Sequence, residues 1–203
     1  MKEKIIKGLK WFYRSFIWLF IVFLSIDIIT KQIILHSGAE VGEIIADWKI
    51  VRIGFVLNYN AAFGIGASDH TVSRILYLVI ASTVCTGIIT YLIVKRKSMP
   101  LLVRACLVLV ITGAVGNMID RIFYGPEHAV VDWIDFNWFW AYNFNIADSC
   151  IVVAAFMLII YLIVLEVKDY RAKKAKDQVV FAKEDKDNQV DEDKEEIKDE
   201  DKQ

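Results

Sequence analysis

Four long apolar blocks constrain this chain more than any other feature of its sequence. They lie at about residues 16–31, 72–94, 101–123 and 146–167. Such blocks are close to the ~20 residues that a helix needs to cross a hydrocarbon core of ~30 Å. The composition agrees, since 56% of the 203 residues are hydrophobic and the mean hydropathy is +0.42, which is unusually apolar for a soluble domain. The sequence therefore predicts an all-α membrane protein with four transmembrane helices.

The first 15 residues are basic and precede the first apolar block, an order that signal peptides share. A small-residue cleavage site does not follow the block, however, and three further apolar blocks lie downstream. We therefore interpret residues 1–15 as a basic cytoplasmic N-terminus and residues 16–31 as a retained transmembrane helix, the start of a transmembrane domain over 16–167.

Basic residues predict the orientation of the helices. The N-terminus, the turn at 95–97 and the Lys/Arg cluster after residue 167 fall on one side, which the positive-inside rule makes cytoplasmic. Both termini are then cytoplasmic, and residues 32–71 and 124–145 face outward, on the periplasmic side.

The two outward segments differ in their residue composition. Residues 32–71 contain β-branched, alternating stretches such as Trp48–Ile53, punctuated by glycines, and predict a small β-like cap lying on the membrane. Residues 124–145 form an amphipathic loop rich in tryptophan and tyrosine, which favour the membrane–water interface.

The segment 168–203 is cytoplasmic and charged. From about residue 177 it has almost no apolar residues, so it cannot bury enough surface to offset its ordering entropy. We expect a disordered, solvated extension in preference to a regulatory or partner-binding tail.

Carboxylates at the edge of a hydrocarbon slab are costly and indicate function. Four of them are predicted at the outer side: Asp27, Asp120, Asp132 and Asp148. If Asp132 and Asp148 converge, one carboxyl keeps a proton while the other stays charged. Such a dyad can activate a water against a peptide carbonyl without a metal ion. This acid/base pair is the central hypothesis.

Simpler interpretations of the same residues remain open at this point. Asn145 is placed to cap the last helix, with Asp148 complementing its positive end. Asp27 and Lys31 are spaced i to i+4, which suits either a local ion pair or a positioning role in an active site.

Other chemistries find little support. The sequence contains no HExxH, Gly-x-Ser-x-Gly, Walker or dinucleotide-binding pattern and no nucleic-acid-binding pattern. Its 3 cysteines are odd in number and lack metal-site spacing. We expect no metal, cofactor or nucleic acid. The alternative to an enzyme is a non-catalytic membrane protein, such as a transporter subunit or assembly factor.

Four groups of polar residues follow one another along the chain: Asp27–Lys31, Asn58–Gly64, Asn117–Arg121 with Val130–Asp132, and Phe144–Ser149. In this order they resemble the motifs of lipoprotein signal peptidase (signal peptidase II). The resemblance implies an aspartic endopeptidase of the bacterial inner membrane with its active site at the outer face. It would cleave the signal peptide of diacylglyceryl-modified prolipoproteins just before the lipidated cysteine.

The resemblance also implies residue roles and partners. The catalytic pair maps onto Asp132 and Asp148. Residues that support the dyad or bind substrate map onto Asp27, Lys31, Asn58, Asn117, Asp120, Arg121 and Asn145. The partners would be the lipidated substrates, membrane lipids and the cyclic peptide inhibitor globomycin, and we expect a monomer. Two departures from the family pattern are Asn60, in place of a glycine, and a longer segment at 125–130.

Overall fold

The computed structural model describes residues 2–59, 69–124, 128–136 and 142–200. Its helices are α1 (Lys2–Ser15), α2 (Ile17–Leu35), α3 (His70–Val94), α4 (Leu101–Ile119), a π-helical turn (Asp120–Tyr124) and α5 (Ile146–Glu200). Four helical segments are long and apolar enough to cross a membrane: Ile17–Leu35, His70–Val94, Leu101–Phe123 and Ile146–Ala175. The predicted set of four transmembrane helices is therefore confirmed.

Local chemistry sets several of the helix ends. Phe16 takes the left-handed conformation (φ 60°), which ends α1 and starts α2 in a new direction. The Asp69 carboxylate caps α3 by accepting the Thr71 backbone N–H at 2.7 Å. Pro100 immediately precedes α4, where its missing N–H is not needed.

One antiparallel sheet joins the segments 32–71 and 124–145. Its strands are β1 (Ile44–Asp47), β2 (Arg52–Asn58), β3 (Val130–Asp135) and β4 (Asn143–Phe144), in the order β1-β2-β3-β4. The prediction of a small β-like element is confirmed, and the segment 124–145 contributes half of its strands. Asp132 consequently lies on a strand, where the sequence suggested a loop.

The prediction of a strand over Trp48–Ile53 is wrong for most of that stretch. Asp47 ends β1 and its carboxylate accepts the Lys49 backbone N–H at 2.7 Å. Lys49 takes a positive φ of 67°, and the Ile50 N–H donates to the Trp48 carbonyl at 2.8 Å. This Asx-type turn reverses the chain, so only Arg52 and Ile53 belong to a strand.

A β-bulge in β2 determines which side chains face the membrane helices. Ile53 pairs with Ile134, but Val56 pairs with Asp132, so β2 contains one more residue than β3 between these pairs. Past the bulge, Asn58 lies opposite Val130 and shares a face with Asp132. The other face packs Phe55 and Val131 against Ile34 at the end of α2.

Small residues let α4 approach its neighbours closely. A Cβ on Gly113 would lie 2.2 Å from the Ala147 carbonyl oxygen, and one on Gly116 would lie 2.6 Å from Asp27 Oδ2. Neither position can hold a larger residue without displacing backbone or a buried carboxylate. This closeness brings polar groups of α2, α4 and the start of α5 within hydrogen-bonding distance.

The backbone of α5 continues without interruption to Glu200, through the charged tail for which composition predicts disorder. Residues 177–200 contain neither glycine nor proline, the two residues that most disfavour a helix. With no residue that ends a helix, the helical backbone propagates beyond the apolar segment.

Candidate active site

All nine predicted site residues belong to one connected network. Five parts of the structure contribute to it: Asp27 and Lys31 on α2; Asn58 on β2; Asn117, Asp120 and Arg121 on α4 and the π-helical turn; Asp132 on β3; Asn145 and Asp148 at the start of α5. The residues come from five separate parts of the sequence, and the hydrogen bonds described below link them into one site.

The Asn145 side chain joins the two aspartates of the hypothesised dyad. Its Nδ2 donates to Asp132 Oδ1 at 2.7 Å, and its Oδ1 accepts the backbone N–H of Asp148 at 2.9 Å. Nδ2 also lies 3.1 Å from Asn117 Oδ1. Asn145 is fully buried. The same amide therefore caps α5, as the simpler interpretation required, and holds Asp132 beside the helix start.

Asp132 is enclosed between two amide donors. Asn58 Nδ2 donates to Asp132 Oδ2 at 2.9 Å, so each carboxyl oxygen has one side-chain partner. Only 1% of the residue is exposed. Burial raises the pKa of Asp132 to about 8, and repulsion from Asp148 acts in the same direction. At neutral pH the Asp132 carboxyl therefore favours its protonated form.

Asp148 has a different environment. It lies in the first turn of α5, where the helix dipole favours a negative charge. Asn117 Nδ2 donates to Asp148 Oδ1 at 2.7 Å. The two carboxyls thus share the Asn117–Asn145 amide pair, and their proton equilibria belong to the pair as a whole.

Lys31 provides the positive charge at the centre of the network. Its Nζ lies 2.8 Å from Asp27 Oδ2, 2.9 Å from Asp120 Oδ2 and 3.1 Å from Asn117 Oδ1. The side chain is 1% exposed, and the ammonium group has three buried polar neighbours. The sequence left a local ion pair and a positioning role as alternatives for Asp27 and Lys31. The geometry contains the ion pair, and the same ammonium contacts the Asn117 amide that donates to Asp148, while the positioning role stays a prediction.

The two carboxylates around Lys31 also fix backbone. Asp27 Oδ1 accepts the Ala147 N–H at 2.9 Å, which attaches the start of α5 to α2. Asp120 Oδ2 accepts the Val131 N–H at 3.3 Å and so attaches β3 to the end of α4. These bonds set the positions of the two elements that hold Asp148 and Asp132.

Arg121 and Tyr77 form one wall of a small cavity beside Asp148. The Arg121 guanidinium lies over the Tyr77 ring at 3.9 Å from its centroid, a cation–π contact. A cavity of about 80 Å³ is lined by Asn58, Tyr77, Asn117, Arg121, Val130, Asp148 and Ile151. It is large enough for water and has polar groups on several sides.

The sequence analysis missed Tyr77 and the two close-packed glycines. Tyr77 is one aromatic residue inside an apolar helix, and no local signal separates it from a packing residue. Gly113 and Gly116 carried a weaker signal, because small residues are enriched where membrane helices pack closely. Asn60 and residues 125–127 lie outside the described residues.

Within the described ranges, no three His, Cys, Asp or Glu side chains are grouped so as to hold a metal ion. The polar groups of the site instead bind one another through amide–carboxylate and ammonium–carboxylate contacts.

Comparison with known proteins identifies the relatives of this chain. A family model described as signal peptidase (SPase) II matches residues 19–164. The lipoprotein signal peptidase of Enterobacter sp. (strain 638) is 34% identical over 156 residues, which cover 75% of this chain and 87% of that relative. The lipoprotein signal peptidase of Salmonella newport (strain SL254) is 33% identical with the same coverage.

Solved structures agree with this fold. A bacterial membrane enzyme solved by the in meso method at 2.3 Å resolution has a TM-score of 0.63 and 27% identity, covering 72% of this chain and 86% of that one. A second such enzyme, at 1.9 Å resolution, has a TM-score of 0.61, and the match covers 90% of it. By its sequence and by the match of its four membrane helices, the chain belongs to the signal peptidase II family and is a multi-pass membrane peptidase that processes lipoprotein signal peptides.

Proposed function

We propose that the chain is an aspartic endopeptidase whose Asp132 and Asp148 activate water to cleave diacylglyceryl-modified prolipoproteins just before the lipidated cysteine. The observation that supports this most directly is the Asn145 amide, which binds the Asp132 carboxyl and the Asp148 backbone at once. An amide shared in this way keeps two carboxyls together that would otherwise separate by repulsion.

The proposed reaction needs one proton on the pair. The charged carboxylate removes a proton from a water molecule held between the two carboxyls, and the water oxygen bonds to the scissile carbonyl carbon. The protonated carboxyl donates a hydrogen bond to the carbonyl oxygen as negative charge develops on it. When the C–N bond breaks, the proton taken from water passes to the leaving amine. The pair then holds a single proton again.

The remaining polar residues position the pair in this proposal. Asn58 and Asn145 hold Asp132, while Asn117 holds Asp148. Lys31, with Asp27 and Asp120, keeps the Asn117 amide oriented so that its Nδ2 faces Asp148. Arg121 lines the cavity, where its guanidinium donates to the Asn117 carbonyl at 3.3 Å and places positive charge beside the pair.

The proposed membrane placement follows from the charges. With both termini and the 95–97 turn in the cytoplasm of a bacterial inner membrane, the sheet and the aspartates lie at the outer face. A diacylglyceryl group keeps the substrate cysteine at that same interface, so its scissile bond and the dyad meet at one depth.

The proposed partners are the lipidated substrate, the surrounding lipids and globomycin, which would occupy the substrate cleft. We propose that one chain is sufficient for activity, because the nine-residue network is completed by a single protomer.

A gel-shift cleavage assay in liposomes tests the proposal. The substrate is a prolipoprotein with and without its diacylglyceryl group, and the variants are Asp132→Asn and Asp148→Asn. We expect cleavage of the lipidated form alone, loss of turnover in both variants, and inhibition by globomycin.

Asp135→Asn is the matched control. Asp135 lies on the same strand as Asp132 but pairs with Arg52 and makes no contact with the dyad. This variant should cleave at the wild-type rate. Near-wild-type turnover in Asp132→Asn or Asp148→Asn would refute the dyad, whereas equal cleavage of the unlipidated substrate would refute only the proposed specificity.

A further inference from the structure

The N-terminal helix α1 presents an apolar face that no part of the described chain covers. Ile6 is 50% exposed and Tyr13 is 67% exposed; being seven residues apart, they lie on one side of the helix. Phe12 is also exposed, and Gly8 has no other group near it. Exposed apolar side chains arranged along one helix face indicate an interaction surface.

A neighbouring face of this helix, about 100° around its axis, is basic. Lys7 and Arg14, again seven residues apart, are both exposed. The whole helix has the sequence KEKIIKGLKWFYRS, with five basic residues and one acidic residue. A helix with one apolar face and a strongly basic remainder has the composition of a segment that lies in the plane of an anionic membrane surface.

The junction at Phe16 separates α1 from the membrane-spanning helix α2. Phe16 has a φ of 60°, which interrupts the helix between Ser15 and Ile17. Ser15 Oγ donates to the Phe12 carbonyl at 2.7 Å, and Trp18 Nε1 donates to the Tyr13 carbonyl at 3.2 Å. These side chains donate to carbonyls in the last turn of α1, where the regular hydrogen bonds of a helix end, and so stabilise the interruption.

A contact with α4 fixes the end of α1 beside the second basic segment. Arg104 Nη1 donates to the Arg14 carbonyl at 2.9 Å, while Arg104 Nη2 donates to the Arg96 carbonyl. The C-terminal end of α1 and the basic turn between α3 and α4 therefore lie at the same end of the membrane helices. Basic residues of α1 and of the α3–α4 turn therefore lie near one another at that end.

We propose that α1 lies in the membrane–water interface and binds anionic phospholipid headgroups, with Ile6, Phe12 and Tyr13 entering the acyl boundary. The structure favours the membrane as the partner of α1 for two reasons. The helix is followed directly by a transmembrane helix, and its charge is opposite to that of acidic lipids. A second copy of this chain would bring its basic residues together. The inference needs only the membrane insertion of α2 and is independent of the dyad.

Hydrogen–deuterium exchange on the unmodified full chain tests this proposal. The protein is placed in nanodiscs of neutral phosphatidylcholine, or of phosphatidylcholine mixed with anionic phosphatidylglycerol. We expect the amides of α1 to exchange more slowly in the anionic discs. Lys7→Gln/Arg14→Gln should lower that protection by roughly 30-fold, since each basic group near an anionic surface contributes about a factor of 5. Equal protection in both lipids would overturn the proposal.

Two controls separate the lipid from other partners. Lys95→Gln/Lys97→Gln removes the same charge from the neighbouring turn and should leave α1 protected as in the wild type. Protection that rises with the number of protein chains per disc, instead of with anionic lipid, would identify a second copy as the partner and refute the proposal.

Spin labels give an independent measurement of depth. A label at Ile6→Cys should be accessible to oxygen dissolved in the bilayer, while one at the adjacent Lys7→Cys should be accessible to a water-soluble relaxation agent. The three native cysteines are buried and are replaced with alanine for this purpose. Equal accessibility at the two positions would refute the interfacial placement of α1, whatever the hydrogen–deuterium exchange shows for the Lys7→Gln/Arg14→Gln variant.

Discussion

Replacing Lys31 with methionine distinguishes two possible roles of its ammonium group. The group acts either as the counter-ion of buried carboxylates or as one hydrogen-bond donor among several. Methionine keeps much of the side-chain volume and removes the charge. The change leaves Asp27 and Asp120 facing each other across a 1% exposed position, where their only described cation was Lys31 Nζ at 2.8 and 2.9 Å.

The two roles predict different magnitudes. Removing one partner from a buried charge pair costs about 3–5 kcal/mol, because the remaining charge stays buried without compensation. Hydrogen bonds between membrane helices contribute only about 0.6 kcal/mol on average. Since Lys31 neutralises carboxylates on two helices, we expect the larger loss in the free energy of unfolding.

The measurement is reversible unfolding by sodium dodecyl sulfate in mixed micelles, followed by tryptophan fluorescence. Lys97→Met, at an exposed position in the α3–α4 turn, is the control and should unfold like the wild type. The triple variant Lys31→Met/Asp27→Asn/Asp120→Asn also removes the two unpaired carboxylates. Most of the lost free energy of unfolding should therefore be recovered. A loss near 0.6 kcal/mol in Lys31→Met, or no recovery in the triple variant, would refute the counter-ion role.

Three further predictions concern the proton of the pair, the close packing and the tail. Cleavage, measured as kcat/KM, should fall as the pH rises through about 8. Burial raises the pKa of Asp132 to about 8, so above this pH the pair loses the proton that it needs. A flat profile at higher pH would contradict this. Gly116→Ala should lower the free energy of unfolding by about 1–3 kcal/mol, since its Cβ would meet Asp27 Oδ2 at 2.6 Å. Gly87→Ala, with nothing within 4 Å, should not destabilise, and equal losses in the two variants would exclude the contact as the cause. Deleting residues 177–203 should leave cleavage rates unchanged in the liposome assay, and a large loss in a stable truncation would assign the tail a role.

Much of the fold could be predicted because membrane spans depend on local composition. A block of apolar residues is sufficient to predict a helix wherever water is excluded, and all four blocks form helices of suitable length. The grouping of Asp27 and Lys31 with the later motifs could be predicted only through family resemblance. Their i to i+4 spacing was equally consistent with an isolated ion pair.

The parts that escaped prediction depend on long-range or conformational detail. The turn at Trp48 arises from the Asp47 carboxylate and a positive φ at Lys49, which outweigh the β-branched character of the stretch. Tyr77 enters the site only because α3 packs beside α4 and brings its ring under Arg121. Neither effect is visible in the pattern of apolar residues alone.

The bulge in β2 determines which changes in the length of this strand keep Asn58 beside Asp132. If the pairing frame of Ile53 with Ile134 continued through all the residues of β2 without a bulge, Asn58 would point to the opposite side of the sheet from Asp132. Deleting Gly54 would remove the bulge and leave Val56 opposite Asp132 and Asn58 opposite Val130, so the amide donor would stay beside Asp132. The strand can therefore lose one residue between Ile53 and Val56 and keep Asn58 in place, whereas a further insertion there would need a second bulge to hold Asn58 on the face of Asp132.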